Sequence, residues 1–343
     1  MAIRRILTWT AGAVVALGVW LGAFLFVNKD AVARPGDLVR VAAADLPQAG
    51  ETLDIVTWNL GYGGLGAGSD FTADGGTHMF PPSRRAVRDN VDAIEQFLAG
   101  QDDVDVVLLE ELARAGPVNY QVDLKAQVDR ALAGRDRLFF ADFKTRLLPW
   151  PLRMEHGQGV YSRVAIEGGD VVPLPAEDSG IFGVRRRYAS TVARLANGWT
   201  IVSVHLAAFD ADAEVRTRQL RELMTWAERE YRSGRYVVIG GDWNLQLAET
   251  DFPNTTEERY LFWLFPFPQD ALPQGWRIAA DATIPSVRTN YKPYVAGENY
   301  VTTIDGFIVS PNVAVESVHG FDLGFRNSDH QPVRIRVRAL PNA

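Results

Sequence analysis

The sequence predicts one α/β domain with two packed β-sheets and helices outside them, preceded by a single apolar N-terminal helix. Two observations lead to this fold class. From Glu51 onward, short apolar runs rich in Val and Ile alternate with longer amphipathic segments, an order typical of α/β proteins. Before that point, residues 6–27 carry no charged side chain.

Residues 6–27 are long enough to cross a membrane, because about 20 apolar residues in a helix span the hydrocarbon core. Arg4 and Arg5 precede them, so the positive-inside preference places the rest of the chain outside the cytoplasm. Ala31 and Ala33 also fit a signal cleavage site, and a secreted protein is therefore the alternative, although a signal's apolar region usually has only about 7–15 residues. A buried helix of a soluble protein is a third interpretation. We interpret residues 1–28 as a membrane anchor and residues 29–50 as a linker.

The domain over residues 51–343 contains apolar runs bounded by turn residues, which is the pattern of β-strands. These runs are residues 53–58, 104–109, 159–161, 191–195, 200–205, 236–239, 303–309 and 333–337. A helix is predicted over residues 83–98, where Val87, Val91 and Ile94 recur at helical spacing after Ser83, a favourable N-cap. A second helix is predicted over residues 211–231.

Composition excludes some chemistry. The chain has no cysteine, which excludes disulfides, zinc–thiolate sites and thiol nucleophiles. Its formal net charge of −7 disfavours a protein whose whole surface binds nucleic acid, because phosphate binding draws on Lys and Arg. A local basic patch remains compatible with this charge, and residues 185–187, all arginine, form the densest basic cluster.

Polar residues follow several of the predicted strands, where a scaffold usually presents functional groups. A single carboxylate there is more often a turn former or helix cap, and a single histidine is more often a core residue. The set as a whole is rich in carboxylate and amide oxygens, which suit Mg²⁺ better than tetrahedral zinc. It comprises Asn59, Glu110, Glu111, His205, Asp242, Asn244, Asp305, Asp329 and His330.

Seven short motifs around these residues occur in a fixed order. They are TWN (57–59), LLEE ending at Glu111, GVYSR (159–163), VSVHL around His205, GGDWN (240–244), TTIDGF around Asp305 and SDH (328–330). In this order they resemble the endonuclease/exonuclease/phosphatase superfamily, which includes deoxyribonuclease I, abasic-site endonucleases, neutral sphingomyelinases and inositol polyphosphate 5-phosphatases. The resemblance extends from about residue 53 to residue 337. Glu110 departs from the pattern, since the family commonly has Gln there.

The resemblance implies a four-layer α/β sandwich with two mixed sheets and a hydrolase that uses Mg²⁺ or Mn²⁺. Water would attack a phosphate ester in line. The implied metal ligands are Asn59, Glu111 and Asp329. The implied catalytic residues are the pair Asp305 and His330, Asp242 acting on the water, and Asn244 and His205 as donors to phosphoryl oxygens.

The family's core does not name the substrate. Inositol polyphosphate 5-phosphatases have an Arg soon after the motif that corresponds to GDWN. In this chain Leu245 follows the motif, so the sequence argues against 5-phosphatase activity. Arg185 and Arg187 are expected to bind the substrate phosphate. Two aromatic runs, 147–152 and 260–267, fit either a membrane interface or loops packed on the core, and the glycine-rich residues 61–76 are expected to form the mouth of the site.

Three functions are therefore weighed for the chain. The first is a membrane-anchored, extracytoplasmic phosphoesterase for a lipid-linked or small phosphoester. The second is a membrane-anchored extracytoplasmic nuclease, for which nucleic acid would be the partner. The third is a binding module without catalytic activity.

Overall fold

The computed structural model describes residues 2–177, 180, 183–208 and 210–341. The last two residues of the predicted domain, 342 and 343, lie outside the described part. The helices are α1 (Ala2–Asn28), α2 (Arg84–Ala99), α3 (Leu124–Ala131) and α4 (Glu214–Arg232). The strands are β1 (Leu38–Val41), β2 (Thr52–Asn59), β3 (Val106–Ala113), β4 (Asp136–Lys144), β5 (Glu155–Ser162), β6 (Ile166–Pro173), β7 (Ala189–Leu195), β8 (Trp199–His205), β9 (Tyr236–Asp242), β10 (Arg277–Ala279), β11 (Val287–Arg288), β12 (Val301–Thr302), β13 (Asp305–Val309), β14 (Val313–Gly320) and β15 (Val333–Ala339).

Two mixed sheets pack face to face. One has the order β1-β4-β5-β3-β2-β15-β14 and the other the order β10-β13-β9-β8-β7-β6, while β11 and β12 form a small separate pair. Ile55 and Leu108 from the first sheet meet Ile201, Val238 and Phe307 from the second in the central core. Helices α2 and α3 cover the outer face of the first sheet, and α4 covers that of the second. The predicted four-layer sandwich is confirmed.

The sequence determines the start and the buried face of helix α2. Ser83 has extended backbone and its Oγ accepts the Ala86 N–H at 3.1 Å, so it is the N-cap that the sequence predicts. Val87, Val91 and Ile94 are buried against the first sheet. Helix α4 is also confirmed, although a short 3-10 turn occupies its predicted first residues.

Each predicted strand corresponds to an observed one, but several observed strands were not predicted. Strand β4 is buried on both faces along most of its length and therefore lacks the alternation of a half-buried strand. Strand β14 is an edge strand whose exposed Glu316 pairs with Arg336 and Arg338 of β15. Its mixture of Val, Ala, Ser and charged residues weakens the strand pattern.

The segment predicted as a linker, residues 29–50, differs from the prediction. Its strand β1 pairs antiparallel with β4, with Leu38 opposite Phe140. Ala33 and Ala49 are buried, Ala49 in the central core. Prolines and scattered charges suggested a linker, but an edge strand tolerates such a composition because only one of its sides is hydrogen-bonded.

Helix α1 projects an apolar surface away from the sandwich. Within it, Trp9–Asn28 has a mean hydropathy of 2.1 and is long and apolar enough to cross a membrane, with only 6% of that stretch buried. A signal sequence near an N-terminus has the same properties. The last turns of α1 contact the loop between β4 and β5.

Candidate active site

The polar residues at the strand ends meet because parallel strands end at the same edge of a sheet. Strands β2 and β3 are parallel, and Asn59 lies opposite Glu110 at their ends. Strands β8 and β9 are also parallel, and His205 lies opposite Asp242. Strand β13 runs antiparallel to β9 and starts with Asp305 opposite Asp242. One edge of the sandwich therefore collects residues from both sheets.

The SDH turn reaches the same edge because β15 is antiparallel to β2, with Val333 opposite Thr57. The turn directly precedes β15 and thus lies beside the end of β2. The Trp58 Nε1–H donates to the carbonyl of His330 at 3.0 Å, and the Ser328 hydroxyl donates to the carbonyl of Asn59 at 2.8 Å. These bonds fix Asp329 and His330 against the other site residues.

The backbone conformation at Glu111 directs its side chain into the cleft. A β-bulge interrupts the pairing of β3 with β5 between Leu109 and Leu112, and Glu111 has a φ of +51°. Left-handed backbone is costly for a non-glycine residue and concentrates at functional sites. The preceding Glu110 is fully buried between the sheets and accepts the Ser203 hydroxyl at 3.0 Å. Burial raises the pKa of Glu110 well above its usual value, and the charges of Asp305 and Asp242 raise it further.

Gly241 is required by its backbone. It has a φ of +147°, and a Cβ there would lie 2.0 Å from the carbonyl oxygen of Val204 on the neighbouring strand. A side chain is therefore excluded at this position. Glycine thus allows the backbones of β8 and β9 to lie close together next to His205 and Asp242, the residues at their ends.

Asp305 and His330 form a buried pair. The His330 Nδ1 lies 2.9 Å from Asp305 Oδ2, which also accepts the Ser286 hydroxyl at 2.7 Å. The other ring nitrogen, Nε2, lies 3.7 Å from Asp242 Oδ2. Burial lowers the pKa of His330, but the carboxylates of Asp305 and Asp242 outweigh that effect and raise the pKa well above its usual value. The pair thus favours the imidazolium form.

His205 is held in the opposite protonation state. Its Nδ1 accepts a hydrogen bond from Arg186 Nη2 at 3.0 Å. Since arginine only donates, the proton of the neutral ring must sit on Nε2. That nitrogen lies 3.7 Å from Asp242 Oδ2 and 4.0 Å from Glu111 Oε1. Burial lowers the pKa of His205 to about 3, and the charge of Arg186 adds to this effect. His205 is therefore a neutral donor facing the cleft.

Two amides orient Asp242. The Asn59 Nδ2 donates to Asp242 Oδ2 at 3.0 Å, and the backbone N–H of Asn244 donates to Oδ1 at 2.9 Å. The Asn59 Oδ1 accepts the Gly61 N–H at 3.0 Å and keeps one lone pair. The Asn244 Nδ2 donates to the carbonyl of Leu206 at 3.0 Å, so its amide is locked while it lines the cleft.

The cleft concentrates carboxylates that a cation would stabilise. Burial raises the pKa of Glu111 to about 8, and the charge of Asp329 raises it too. Burial together with Asp329 likewise raises the pKa of Asp74 to about 7. Oxygen donors that repel one another in this way fit a hard divalent ion. Asp242, Asp305 and His330 form another group that could hold a metal ion, with ligand atoms within 4.8 Å of one another.

The structure brings nearly all predicted site residues to one cleft. Asp305 lies behind His330, and the predicted residues that line the cleft are Asn59, Glu111, His205, Asp242, Asn244, Asp329 and His330. The basic pair differs from the prediction. Arg185 donates to the Glu177 carbonyl, and Arg187 pairs with Asp37 at 2.9 Å, so neither lines the cleft.

Arg186, between them, lines the cleft instead. Successive residues of an extended segment point to opposite sides. Arg186 therefore faces the cleft, whereas Arg185 and Arg187, the two residues that we predicted, do not. Asp142 binds the Arg186 guanidinium, with Oδ2 at 2.6 Å from Nη2 and 3.0 Å from Nε.

Trp263 and Arg288 also line the cleft, and no sequence motif indicates either of them. Trp263 is 6% exposed and Arg288 is 2% exposed. Neither the Trp263 Nε1–H nor the Arg288 Nε–H has a hydrogen-bond partner among the described residues. Buried donors normally have partners, so these two fit an acceptor supplied by a ligand. The glycine-rich segment also lines the cleft, through Tyr62, Leu65, Phe71 and Asp74.

The sequence profile of the Endonuclease/Exonuclease/phosphatase family matches residues 56–330. The chain belongs to this family. No curated protein is significantly similar to it in sequence.

Solved structures show the same fold at low identity. An endonuclease/exonuclease/phosphatase from Beutenbergia cavernae DSM 12333 is 18% identical, with a TM-score of 0.58 over 84% of this chain and 72% of that chain. A humanized D. rerio TDP2 is 16% identical, with a TM-score of 0.53 over 84% of this chain and all of the other. D. rerio TDP2 complexed with single-strand DNA product is 16% identical, with a TM-score of 0.52 over 84% and 99% of the two chains.

Proposed function

We propose that the chain is a phosphoesterase that depends on a divalent ion and cleaves its substrate by in-line attack of water. The observation that carries this proposal is the placement of two histidines on Asp242, each with its Nε2 3.7 Å from Asp242 Oδ2. The other ring nitrogen of His330 bonds the Asp305 carboxylate, which raises the pKa of His330, whereas burial and the Arg186 guanidinium lower the pKa of His205. Hydrolysis of a phosphoester needs a base that acts on the attacking water and hydrogen-bond donors to the phosphoryl oxygens.

The residues of this chain divide the work. Asp242 accepts a proton from the attacking water or orients it, since Asn59 and the Asn244 N–H fix its carboxylate. His205 Nε2–H and protonated His330 donate to phosphoryl oxygens as their negative charge grows. The bond to Asp305 fixes the His330 ring, because Nδ1 is committed and only Nε2 faces the cleft. Arg186 lies in the same cleft and adds positive charge.

Glu111 and Asp329 would hold the divalent ion, with the free lone pair of Asn59 beside them. When bound by these residues, Mg²⁺ or Mn²⁺ would supply positive charge that offsets negative charge on a phosphoryl or leaving oxygen. We favour this pair over the group of Asp242, Asp305 and His330. In that group His330 Nδ1 and both Asp305 oxygens are already hydrogen-bonded to each other, and the positive charge favoured on His330 would repel a cation.

For the substrate, we propose a lipid-linked or small phosphoester, with nuclease activity as the second candidate. The apolar helix α1 and the net charge of −7 support the first. The second is supported by the fold shared with a TDP2 that was crystallised with single-strand DNA product. A binding module without activity has less support, because the cleft retains the acids, amides and histidines together.

A substrate panel tests this proposal. We expect the purified protein with Mg²⁺ to release product from sphingomyelin or phosphatidylinositol-phosphate vesicles, or from a small chromogenic phosphodiester, faster than it cuts plasmid or single-stranded DNA. His330→Ala serves as the inactive control for contaminating hydrolases. Faster cleavage of DNA would assign the nuclease function, and no activity on any member would favour the binding module.

We also propose that α1 stays on the protein as an anchor and that the sandwich faces outward. We expect the full chain to remain with the membrane fraction after a high-salt wash, and the sandwich to be digested by protease added to intact cells. N-terminal sequencing provides the decisive readout. A mature chain that begins at Arg34 in the soluble fraction would show that α1 is a cleaved signal.

A further inference from the structure

We infer that the loop between β4 and β5, residues 146–153, inserts into the surface of the same bilayer that α1 spans, and that it holds the cleft against lipid headgroups. This inference rests on the proposed membrane anchoring of α1 and names the occupant of the loop's exposed face as a lipid surface. We call residues 146–153 the docking loop.

The docking loop exposes large apolar side chains. Trp150 is 77% exposed, Leu152 is 55% exposed and Leu147 is 50% exposed. Arg146 and Arg153 flank them. Tryptophan and leucine suit the boundary between acyl chains and headgroups, where the apolar groups bury. Arg146 donates to the Val27 carbonyl and Arg153 pairs with Glu155, so the apolar side chains are the main groups that the loop offers to lipid.

Hydrogen bonds attach the docking loop to α1. The Asn28 Oδ1 accepts the Arg146 N–H at 2.9 Å, and the Asn28 Nδ2 donates to the Arg146 carbonyl at 3.0 Å. Two turns closer to the N-terminus of α1, the Trp20 Nε1–H donates to the Leu147 carbonyl at 3.3 Å. Phe24, between these contacts, is buried against a cluster that includes Leu148 of the loop. The loop therefore lies along the last two turns of α1.

The position of these contacts sets a depth. Two turns of helix, about 12 Å, separate Trp20 from Asn28. Interfacial amphipathic elements bury their apolar faces about 5–10 Å into the boundary between headgroups and acyl chains. Arg146 bonds Asn28 and Leu147 bonds Trp20, so with Asn28 at headgroup level the chain turns towards the hydrocarbon from Arg146 to Leu147. The loop's exposed side chains would then be covered by lipid.

A short chain of packed rings connects this membrane contact to the cleft. Phe24 of α1 belongs to one apolar cluster with Phe143. The Phe143 ring stacks on His156 at 5.2 Å, and His156 contacts Tyr62 edge-on at 4.8 Å. Tyr62 lines the cleft and hydrogen-bonds Glu111. Three packing contacts thus connect α1 to the wall of the cleft that Tyr62 forms.

The second aromatic run, residues 260–267, differs in that Phe262, at 48%, is its one exposed large apolar side chain and the run does not lie against α1 in any contact described above. Trp263 and Phe267 are buried, and Trp263 lines the cleft. This run is a loop packed on the core, one of the two interpretations that the sequence allows. The docking loop is different, because its aromatic side chain faces outward beside a helix with the same apolar character.

The absence of cysteine from the chain allows a direct test. Single cysteines replace Trp150, Leu152, Val14 in α1, or Val295, an exposed apolar residue of another loop. Each full-length variant is labelled with the fluorophore NBD and reconstituted in phosphatidylcholine–phosphatidylglycerol vesicles. We expect blue-shifted emission and quenching by lipid-borne spin labels at positions 150, 152 and 14, but not at 295.

The outcomes separate the anchor, the docking loop and the activity. A label in lipid at position 14 and in water at 150 and 152 would overturn the docking loop and retain the anchor. Labels in water at all positions would overturn both. Labels in lipid at 150 and 152 support docking whether or not the protein hydrolyses a phosphoester, so failure of the proposed activity is recognised separately. For an active protein, Trp150→Ser is expected to slow hydrolysis of vesicle substrates while a soluble phosphodiester is hydrolysed at the wild-type rate.

Discussion

Glu111→Gln is expected to reduce kcat/KM by about 1,000-fold. A bound divalent ion supplies several kcal/mol of charge stabilisation in the transition state, and its loss corresponds to about three factors of ten in rate. Gln keeps the shape of the side chain but has no negative charge. The affinity of the variant for Mn²⁺, measured by titration calorimetry, should fall along with kcat/KM. The fold should stay intact because Glu111 lines the cleft rather than the apolar core.

The same substitution should change the pH dependence of stability when no metal is added. The pKa of Glu111 is raised to about 8 in the folded protein. The folded state therefore holds a proton that the unfolded state has lost, and wild-type stability falls as the pH rises from the ordinary carboxyl pKa towards 8. Gln cannot ionise, so the Tm of Glu111→Gln should exceed that of the wild type above pH 8.

Glu167→Gln is the matched control, since Glu167 is an exposed glutamate on β6. It should retain wild-type activity and Mn²⁺ affinity. Wild-type turnover by Glu111→Gln, or unchanged Mn²⁺ binding, would remove Glu111 from the metal site. If Asp305→Asn, rather than Glu111→Gln, abolished Mn²⁺ binding, the ion would belong to the group of Asp242, Asp305 and His330.

The second large effect is expected at the buried pair of Asp305 and His330. His330→Ala should lower kcat by about 100- to 10,000-fold, the range for loss of a positioned acid or base. Asp305→Asn should cost less, since the ring remains. The double mutant should be no slower than about His330→Ala alone, because the two residues act as one unit. Multiplying losses would contradict the pairing.

The pair also predicts a shift in the pH–rate profile. The carboxylates of Asp305 and Asp242 raise the pKa of His330. If the protonated ring donates to phosphate, activity falls on the alkaline side as that proton is lost. Asp305→Asn removes one of the two carboxylates, so the pKa should fall and the alkaline limb should move to lower pH. An alkaline limb that stays in place would show that Asp305 does not act through His330.

Much of the sandwich could be predicted because its central strands are apolar and bounded by turn residues. Strands β2, β8 and β9 are buried almost throughout and end at polar residues. Strands β1 and β14 could not be predicted in this way, because their sequences mix apolar and polar residues. They lie at the edges of the seven-stranded sheet, where partial exposure permits mixed composition.

The cleft could be predicted as far as its residues are tied to strand ends. Arg186 could not be distinguished from its neighbours, because three arginines in succession carry no signal of which side faces the cleft. Trp263 and Arg288 come from a long loop and a two-residue strand, and tertiary packing alone brings them to the cleft. Their unpaired donors are visible only in the structure.

The proposed hydrolysis of a phosphoester depends on a divalent ion held in this cleft. The most direct test is turnover of the best substrate of the panel by the metal-stripped protein in EDTA, then after Mg²⁺ is restored in excess. We expect turnover to vanish in EDTA and to return with Mg²⁺ in the wild type but not in Glu111→Gln. Full turnover of the metal-stripped wild-type protein in EDTA would show that hydrolysis needs no divalent ion in this cleft.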